Sequence, residues 1–208
     1  MTLENRLRRY LVTDSSAGSV ERLVSICEEA IQGGITAVQL RAKGWSDREL
    51  LGAANELRAA CARAGTLFVV NDRVDIALAS NADGVHLGVD DLSVGVARTL
   101  LGPGRIIGYS PETPEDRIVA ETAGVDYLGI GPVFGTQTKG DAGAALGLDR
   151  FAELVAESNV PVVGIGGITI DDARSVIEAG AVGVAVVGAV FFAKDPRSAA
   201  IELAAQVP

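Results

Sequence analysis

The chain has 208 residues and a formal net charge of −9, which argues against nucleic acid or an anionic membrane surface as a partner. Hydrophobic residues make up 48 % of it and aromatics only 4 %, so the interior has to be built from Val, Ile, Leu and Ala, as in a parallel sheet buried on both faces. No apolar run reaches membrane-span length and "MTLENRLRRYLVTD" carries no apolar signal region, so a cytoplasmic protein acting on small molecules is expected, with a homo-oligomer left open.

The first apolar run is "YLVT" (10–13), followed by the amphipathic stretch "SVERLVSICEEAIQ" (19–32), which stops at a glycine pair. Next comes "AVQLR" (37–41). Continued as "VQLRAK", it alternates Val38 and Leu40 with Gln39, Arg41 and Lys43, so that a glutamine, a guanidinium and an ammonium run off the end of one strand face. Ser46 is a plausible N-cap for the helical pattern of 46–65. Cys27 and Cys61 sit within helical patterns and lack metal-ligand spacing, which predicts buried free thiols in a reducing compartment. The strand "LFVVN" (67–71) ends in Asn71 and Asp72. "GVHL" (84–87) holds His86, the single histidine, and leads to Asp90 and Asp91. A helical pattern at 93–102 and the strand "RIIGY" (105–109) follow. "YLGIG" (127–131) then opens onto the long loop "GPVFGTQTKGD" (131–141), with Thr136, Thr138 and Lys139. A helix over 149–158, "PVVGIG" (161–166), a helix over 170–180, "GVAVVG" (183–188) and a helix over 195–207 capped by Asp195 complete the chain.

Eight strands separated by helical or loop segments predict a (β/α)8 TIM barrel, with residues 1–208 forming a single domain. A doubly wound sheet is the competitor, but no GxGxxG follows the first strand. In such barrels the site lies at the C-terminal ends of the strands, so polar residues there are the ones to weigh. Asp72 and Asp91 on neighbouring strand ends suit one Mg²⁺, which takes a few carboxylates plus water and phosphate oxygens. For Asp90 a turn or helix cap is the plainer role. Arg41 and Lys43 beside such a metal imply a polyanion, most simply a diphosphate; their plainer role is a solvated strand end paired to surface acids. The Thr136–Lys139 loop suits phosphate contact and lid closure. Gly166, Gly167 and Gly188 expose backbone N–H groups after the seventh and eighth strands, the usual place of a phosphate cup. His86 either lines the mouth or packs. Two anion sites at one mouth, with no nucleophilic triad in view, suit a reaction that expels pyrophosphate and joins the remaining fragment to a phosphorylated partner.

The ordered set "QLRAK", "NDRVDIA", "DGVHLGVDD", "GPVFGTQTK", "GIGGI" and "GVAVVGAVF" resembles the thiamine-phosphate synthase family over nearly the whole chain. That family joins hydroxymethylpyrimidine diphosphate to a thiazole phosphate. The resemblance implies that Gln39, Arg41, Lys43, Asn71 and Lys139 hold the pyrimidine diphosphate and that Asp72 and Asp91 bind Mg²⁺. It implies that Ser110 lies by the pyrimidine, and that Thr136, Thr138, Gly167, Val187 and Gly188 hold the thiazole phosphate. It also implies a dissociative substitution, with Arg41, Lys43, Ser110 and Lys139 as the catalytic set. The chain departs from the family pattern at Glu112, where a histidine is expected, at Gly135, where proline is common, and at Gly188, where serine is common. A thiazole tautomerase of the same barrel family would lose the diphosphate and metal set and use a histidine near Pro132. A non-catalytic phosphate sensor would need a partner surface or added domain.

Overall fold

The structure, a computed structural model, describes residues 1–135 and 143–208. In chain order it runs α1 (Leu3–Leu7), β1 (Arg9–Val12), a 3-10 turn (Ser15–Ala17), α2 (Val20–Gln32), β2 (Ala37–Leu40), α3 (Asp47–Ala64), β3 (Leu67–Asn71), α4 (Val74–Ala79) and β4 (Gly84–Leu87). It continues with α5 (Val94–Leu101), β5 (Ile106–Tyr109), α6 (Pro114–Thr122), β6 (Tyr127–Ile130), α7 (Gly147–Ala156), β7 (Val162–Ile165), α8 (Ala173–Glu178), β8 (Gly183–Val186), α9 (Gly188–Phe191) and α10 (Pro196–Gln206). Each strand pairs in parallel with its neighbours in sequence, and β8 pairs with β1, closing a (β/α)8 barrel.

Local chemistry explains the boundaries. Ser46 and Glu49 form a reciprocal capping box at the start of α3, and Gly65 ends it at φ 70°. Asp195 accepts the Ser198 N–H at the start of α10. Thr113 and Asp116 make a second capping box for α6, and Pro114 takes its first position. Helices α1, α4, α6 and the one-turn α9 carry too short an apolar period to stand out in the sequence. Strands β1, β2, β6 and β7 end one residue before the runs read from the sequence, leaving off Thr13, Arg41, Gly131 and Gly166, which begin the loops.

Strand alternation divides the interior into two cores. Leu11, Val38, Leu40, Phe68, Val70, Val85, Leu87, Leu128, Val184 and Val186 point outward and pack under the helices. Tyr10, Val12, Ala37, Leu67, Val69, Tyr127, Val163 and Ala185 point inward, with Leu7 of α1 packed among them. Cys27 and Cys61 are buried and free; burial pushes the Cys61 thiol up to about 12 and the Cys27 thiol well above its usual range.

Two inward positions leave little or no room for a side chain. A Cβ on Gly108 would fall on the Tyr127 ring and close on His86 Nδ1. A Cβ on Gly129 would come within 3.1 Å of both His86 Cε1 and Ser110 Oγ. The missing side chains make room for polar groups across the barrel.

Candidate active site

The second strand stops at Leu40, so Arg41 and Lys43 lie in the turn beyond it. The turn is anchored from the first strand. The Arg41 N–H donates to Thr13 Oγ1 at 2.9 Å, and that hydroxyl donates to the Arg41 carbonyl at 3.0 Å. Thr13 is fully buried. Arg41 Nη1 also lies 3.9 Å from Asp14 Oδ2, and Asp14 is held by accepting the Ser16 N–H at 2.9 Å. Thr13 and Asp14 were not among the sequence candidates. The signal was present, since they are the polar end of "YLVTD", and strand ends are where such a barrel keeps its site.

Arg41, Lys43, Asn71 and Asp72 line one cleft of about 190 Å³, with Trp45 and Leu50 on its apolar side. Arg73 also borders it, but its guanidinium is engaged by Asp47 at 2.7 Å and by Asp75 at 2.8 Å. Its charge is therefore compensated, whereas Lys43 is exposed at the rim.

Asp72 is one of two non-glycine residues at positive φ among the described residues, at 61°. Such backbone is uncommon, and it persists where the surroundings hold it. Here the Asp72 N–H donates to the His86 carbonyl at 2.8 Å. Burial, then the hydrogen bond and charge of Asp91, push the Asp72 carboxyl up to about 6, while Lys43 and Arg41 pull it down. Asp91 Oδ2 accepts the Gly88 N–H at 2.7 Å. Two partly buried carboxyl groups this close repel unless a proton or a cation lies between them, so the pair suits a hard divalent ion. Among the described residues no cluster of three or more metal-ligating side chains exists. An ion held here would complete its shell with water or ligand oxygens, as Mg²⁺ commonly does. Asp90 is exposed in the turn before Asp91.

Gln39 does not share the rim with Arg41. It is buried inside the barrel, and its Nε2 donates to Tyr10 Oη at 3.0 Å. His86 is likewise inside, bonded to Tyr127 Oη at 2.9 Å and to Ser110 Oγ at 2.9 Å. It therefore both packs and reaches a residue at the mouth.

After β7, Gly166 and Gly167 adopt φ of 92° and 67°. A Cβ on Gly166 would come within 2.6 Å of Pro132, and one on Gly167 within 2.6 Å of the Phe134 carbonyl. The pair thus lets the segment after β6 lie close over β7, where the Val133 N–H donates to Ile165 at 2.9 Å and the Phe134 N–H to Gly166 at 3.0 Å. Val187 and Gly188 open the one-turn α9, the position of the short extra helix that completes a phosphate site in many barrels. Gly188 is exposed, and a Cβ there would meet only Phe192 Cδ2, at 3.9 Å. Thr136, Thr138 and Lys139, and with them the expected lid, lie outside the described residues. Glu112 is exposed before α6, with its N–H directed at Asp116.

A larger cleft of about 370 Å³ opens at the opposite end of the barrel, lined by Arg6, Arg58, Asp83 and Arg105. Its charges are spent on structure. Arg6 and Arg58 pair with Asp83 at 3.1 and 3.6 Å, and Arg105 donates to Asn81 at 2.8 Å. No helix of the described chain is long and apolar enough to cross a membrane.

A family model described as thiamine monophosphate synthase matches residues 9–190. A thiamine-phosphate synthase of Moorella thermoacetica is 45 % identical over 194 residues, covering 93 % of this chain and 92 % of its own. One from Laribacter hongkongensis is 47 % identical over 195 residues, with 93 % and 92 % covered. The solved thiamine phosphate pyrophosphorylase of Pyrococcus furiosus superposes with a TM-score of 0.90 at 40 % identity, covering 99 % of this chain and 98 % of that one. A 3-hexulose-6-phosphate synthase, at 16 % identity and a TM-score of 0.68 over 96 % of this chain and 100 % of its own, shares the fold alone.

Proposed function

The chain belongs to the thiamine monophosphate synthase family and is a transferase of thiamine biosynthesis, and from that premise we propose that the cleft at β2–β4 takes the pyrimidine diphosphate while the glycines after β7 and β8 take the thiazole phosphate. The observation that carries this reading is the convergence of Arg41, Lys43, Asn71 and Asp72 on one cleft, with Asp91 against Asp72. A tautomerase or a phosphate sensor has no use for that set.

In the reaction, the bond between the pyrimidine methylene carbon and the diphosphate oxygen breaks, and its electron pair leaves with pyrophosphate. The thiazole nitrogen then uses its lone pair to form the new carbon–nitrogen bond. Negative charge grows on the leaving group as the bond stretches. Cations fixed beside it therefore stabilise the transition state more than the ground state. Arg41 grips two oxygens through its planar fork, and Lys43 contributes a point charge from the rim. Asp72 and Asp91 would hold Mg²⁺, which supplies Lewis-acid neutralisation of the diphosphate. Asn71 and Lys139 bind the same diphosphate. Gln39 and Ser110 hold the pyrimidine from opposite sides. Val187, the N–H groups of Gly167 and Gly188, and the hydroxyls of Thr136 and Thr138 hold the thiazole phosphate. The small polar substrates and two reduced thiols suit work in the cytoplasm.

The test is a single assay of pyrophosphate release with both substrates and Mg²⁺. Release only when both are present supports the reading. No release, or equal release without the thiazole phosphate, would overturn it.

A further inference from the structure

Five side chains form one continuous chain of hydrogen bonds through the middle of the barrel. Gln39 Nε2 donates to Tyr10 Oη at 3.0 Å, Tyr10 Oη lies 2.8 Å from Tyr127 Oη, Tyr127 Oη 2.9 Å from His86 Nδ1, and His86 Nε2 2.9 Å from Ser110 Oγ. The chain starts on β2 and ends just beyond β5. Both phenols are fully buried, Gln39 and His86 nearly so. Gly108 and Gly129 leave the space it occupies.

Each phenol has one hydrogen to give and a neutral imidazole has one donor and one acceptor nitrogen, so the sense follows once every buried hydroxyl hydrogen is given a partner within the chain. The Gln39 amide N–H enters Tyr10 Oη, so Tyr10 gives its own hydrogen to Tyr127, and Tyr127 gives its hydrogen to His86 Nδ1. His86 then carries its hydrogen on Nε2 and donates it to Ser110 Oγ. The Ser110 hydroxyl is left with its hydrogen to offer at the mouth. Burial pushes the Tyr10 phenol up to about 12 and the Tyr127 phenol well above its usual range, so both retain the protons this sense requires.

We propose that Tyr127 is a positioning residue for the reaction: by donating to His86 Nδ1 it holds the Nε2–H tautomer and so fixes the Ser110 hydroxyl as a donor toward an acceptor on the pyrimidine ring. This rests on the reading that Ser110 lies beside the pyrimidine. It also couples the two sides of the pyrimidine pocket, because the orientation of the Gln39 amide on β2 sets what Ser110 presents beyond β5. A ring that offered an N–H in place of a lone pair would lose the bond that the Ser110 hydrogen makes and would have only the second lone pair of that oxygen to use, so it should bind more weakly.

His86 is the only histidine in the sequence, so ¹⁵N-histidine labelling of the untagged chain gives its ring nitrogens without overlap. The expected wild-type spectrum shows a protonated Nε2 and an unprotonated Nδ1. Protonation on Nδ1 instead would mean that the chain runs in the opposite sense and would overturn the proposal without any variant. Tyr127→Phe removes one oxygen. It should move the ring toward a tautomer mixture and lower kcat/KM for the pyrimidine diphosphate about tenfold, the scale of one net hydrogen bond, with the thiazole phosphate KM unchanged. In a Ser110→Ala background the same substitution should cost almost nothing more. An unaltered tautomer in Tyr127→Phe, or losses that simply add, would refute the proposal. Ser110→Ala with undiminished activity would instead refute the placement of Ser110, a separate failure that the spectrum does not touch.

Discussion

Replacing Thr13 by valine should damage both stability and catalysis without touching a ligand. Valine has nearly the shape of threonine, so the change just after β1 is confined to the hydroxyl. What disappears is one hydroxyl that serves the Arg41 backbone twice, as acceptor at 2.9 Å and donor at 3.0 Å. Leaving a buried polar group unpaired costs ~1–3 kcal/mol. Arg41 is only partly buried, so each of its two orphaned groups belongs at the low end, and the total is about 2 kcal/mol. For a chain of this length that lowers Tm by roughly 4–8 °C. The turn that carries Arg41 and Lys43 also loses its tether to β1. A displacement of about 1 Å in a positioning group can cost on the order of a hundredfold in rate. The assay pairs urea unfolding with steady-state kinetics in which the pyrimidine diphosphate is varied. Thr13→Ser, which keeps the hydroxyl, should recover most of both losses. If Thr13→Val unfolded at the wild-type urea midpoint and kept its kcat, the claim that the first strand positions Arg41 would be wrong.

Asp91→Ala should fold normally and lose most turnover, and excess EDTA should do the same to the wild type; full activity in EDTA would remove the metal from the reading. Arg41→Ala should lower kcat by roughly a hundredfold or more, and Arg41→Lys should recover little of it, because the planar fork is lost while the charge stays. A rise in the thiazole phosphate KM alone would mean that the two anion sites are exchanged. Gly188→Ser adds a hydroxyl where a Cβ has 3.9 Å of clearance, and should lower the thiazole phosphate KM with kcat unchanged, read by varying that substrate. Gly108→Ala should not yield a stable protein, since its methyl would occupy the Tyr127 ring; a melting temperature within a few degrees of wild type would show that the interior can yield.

The barrel was legible because each of its strands is a short, nearly continuous apolar run, and the longer helices carry a clear period with caps such as Ser46 and Asp195. The rim was legible for a different reason: Arg41, Lys43 and Asp72 are charges that follow strand ends, and the structure gathers them on one cleft. The inner polar chain was not legible. Tyr10 and Tyr127 read as apolar members of apolar strands, and only the closure of the sheet sets their hydroxyls 2.8 Å apart. Gln39 misled for a related reason. Alternation grouped it with Arg41, but the strand ends between them, so one residue turns inward and the other leaves along the rim. Thr13 escaped because its task is to hold another residue's backbone, and no side-chain pattern encodes that.

The separation of the interior into two cores bears on how such a protein can change over generations. The shell between strands and helices is largely aliphatic and holds most of the buried hydrophobic residues among those described. The inner core is smaller and spends part of its volume on hydroxyls, an amide and an imidazole. A lineage can therefore exchange residues on the inward face, acquiring a different pocket, while the outward face keeps the chain folded throughout the trial. The inward glycines set the limit on that freedom. At Gly108 every possible replacement is larger, so novelty has to enter through the neighbouring side chains first.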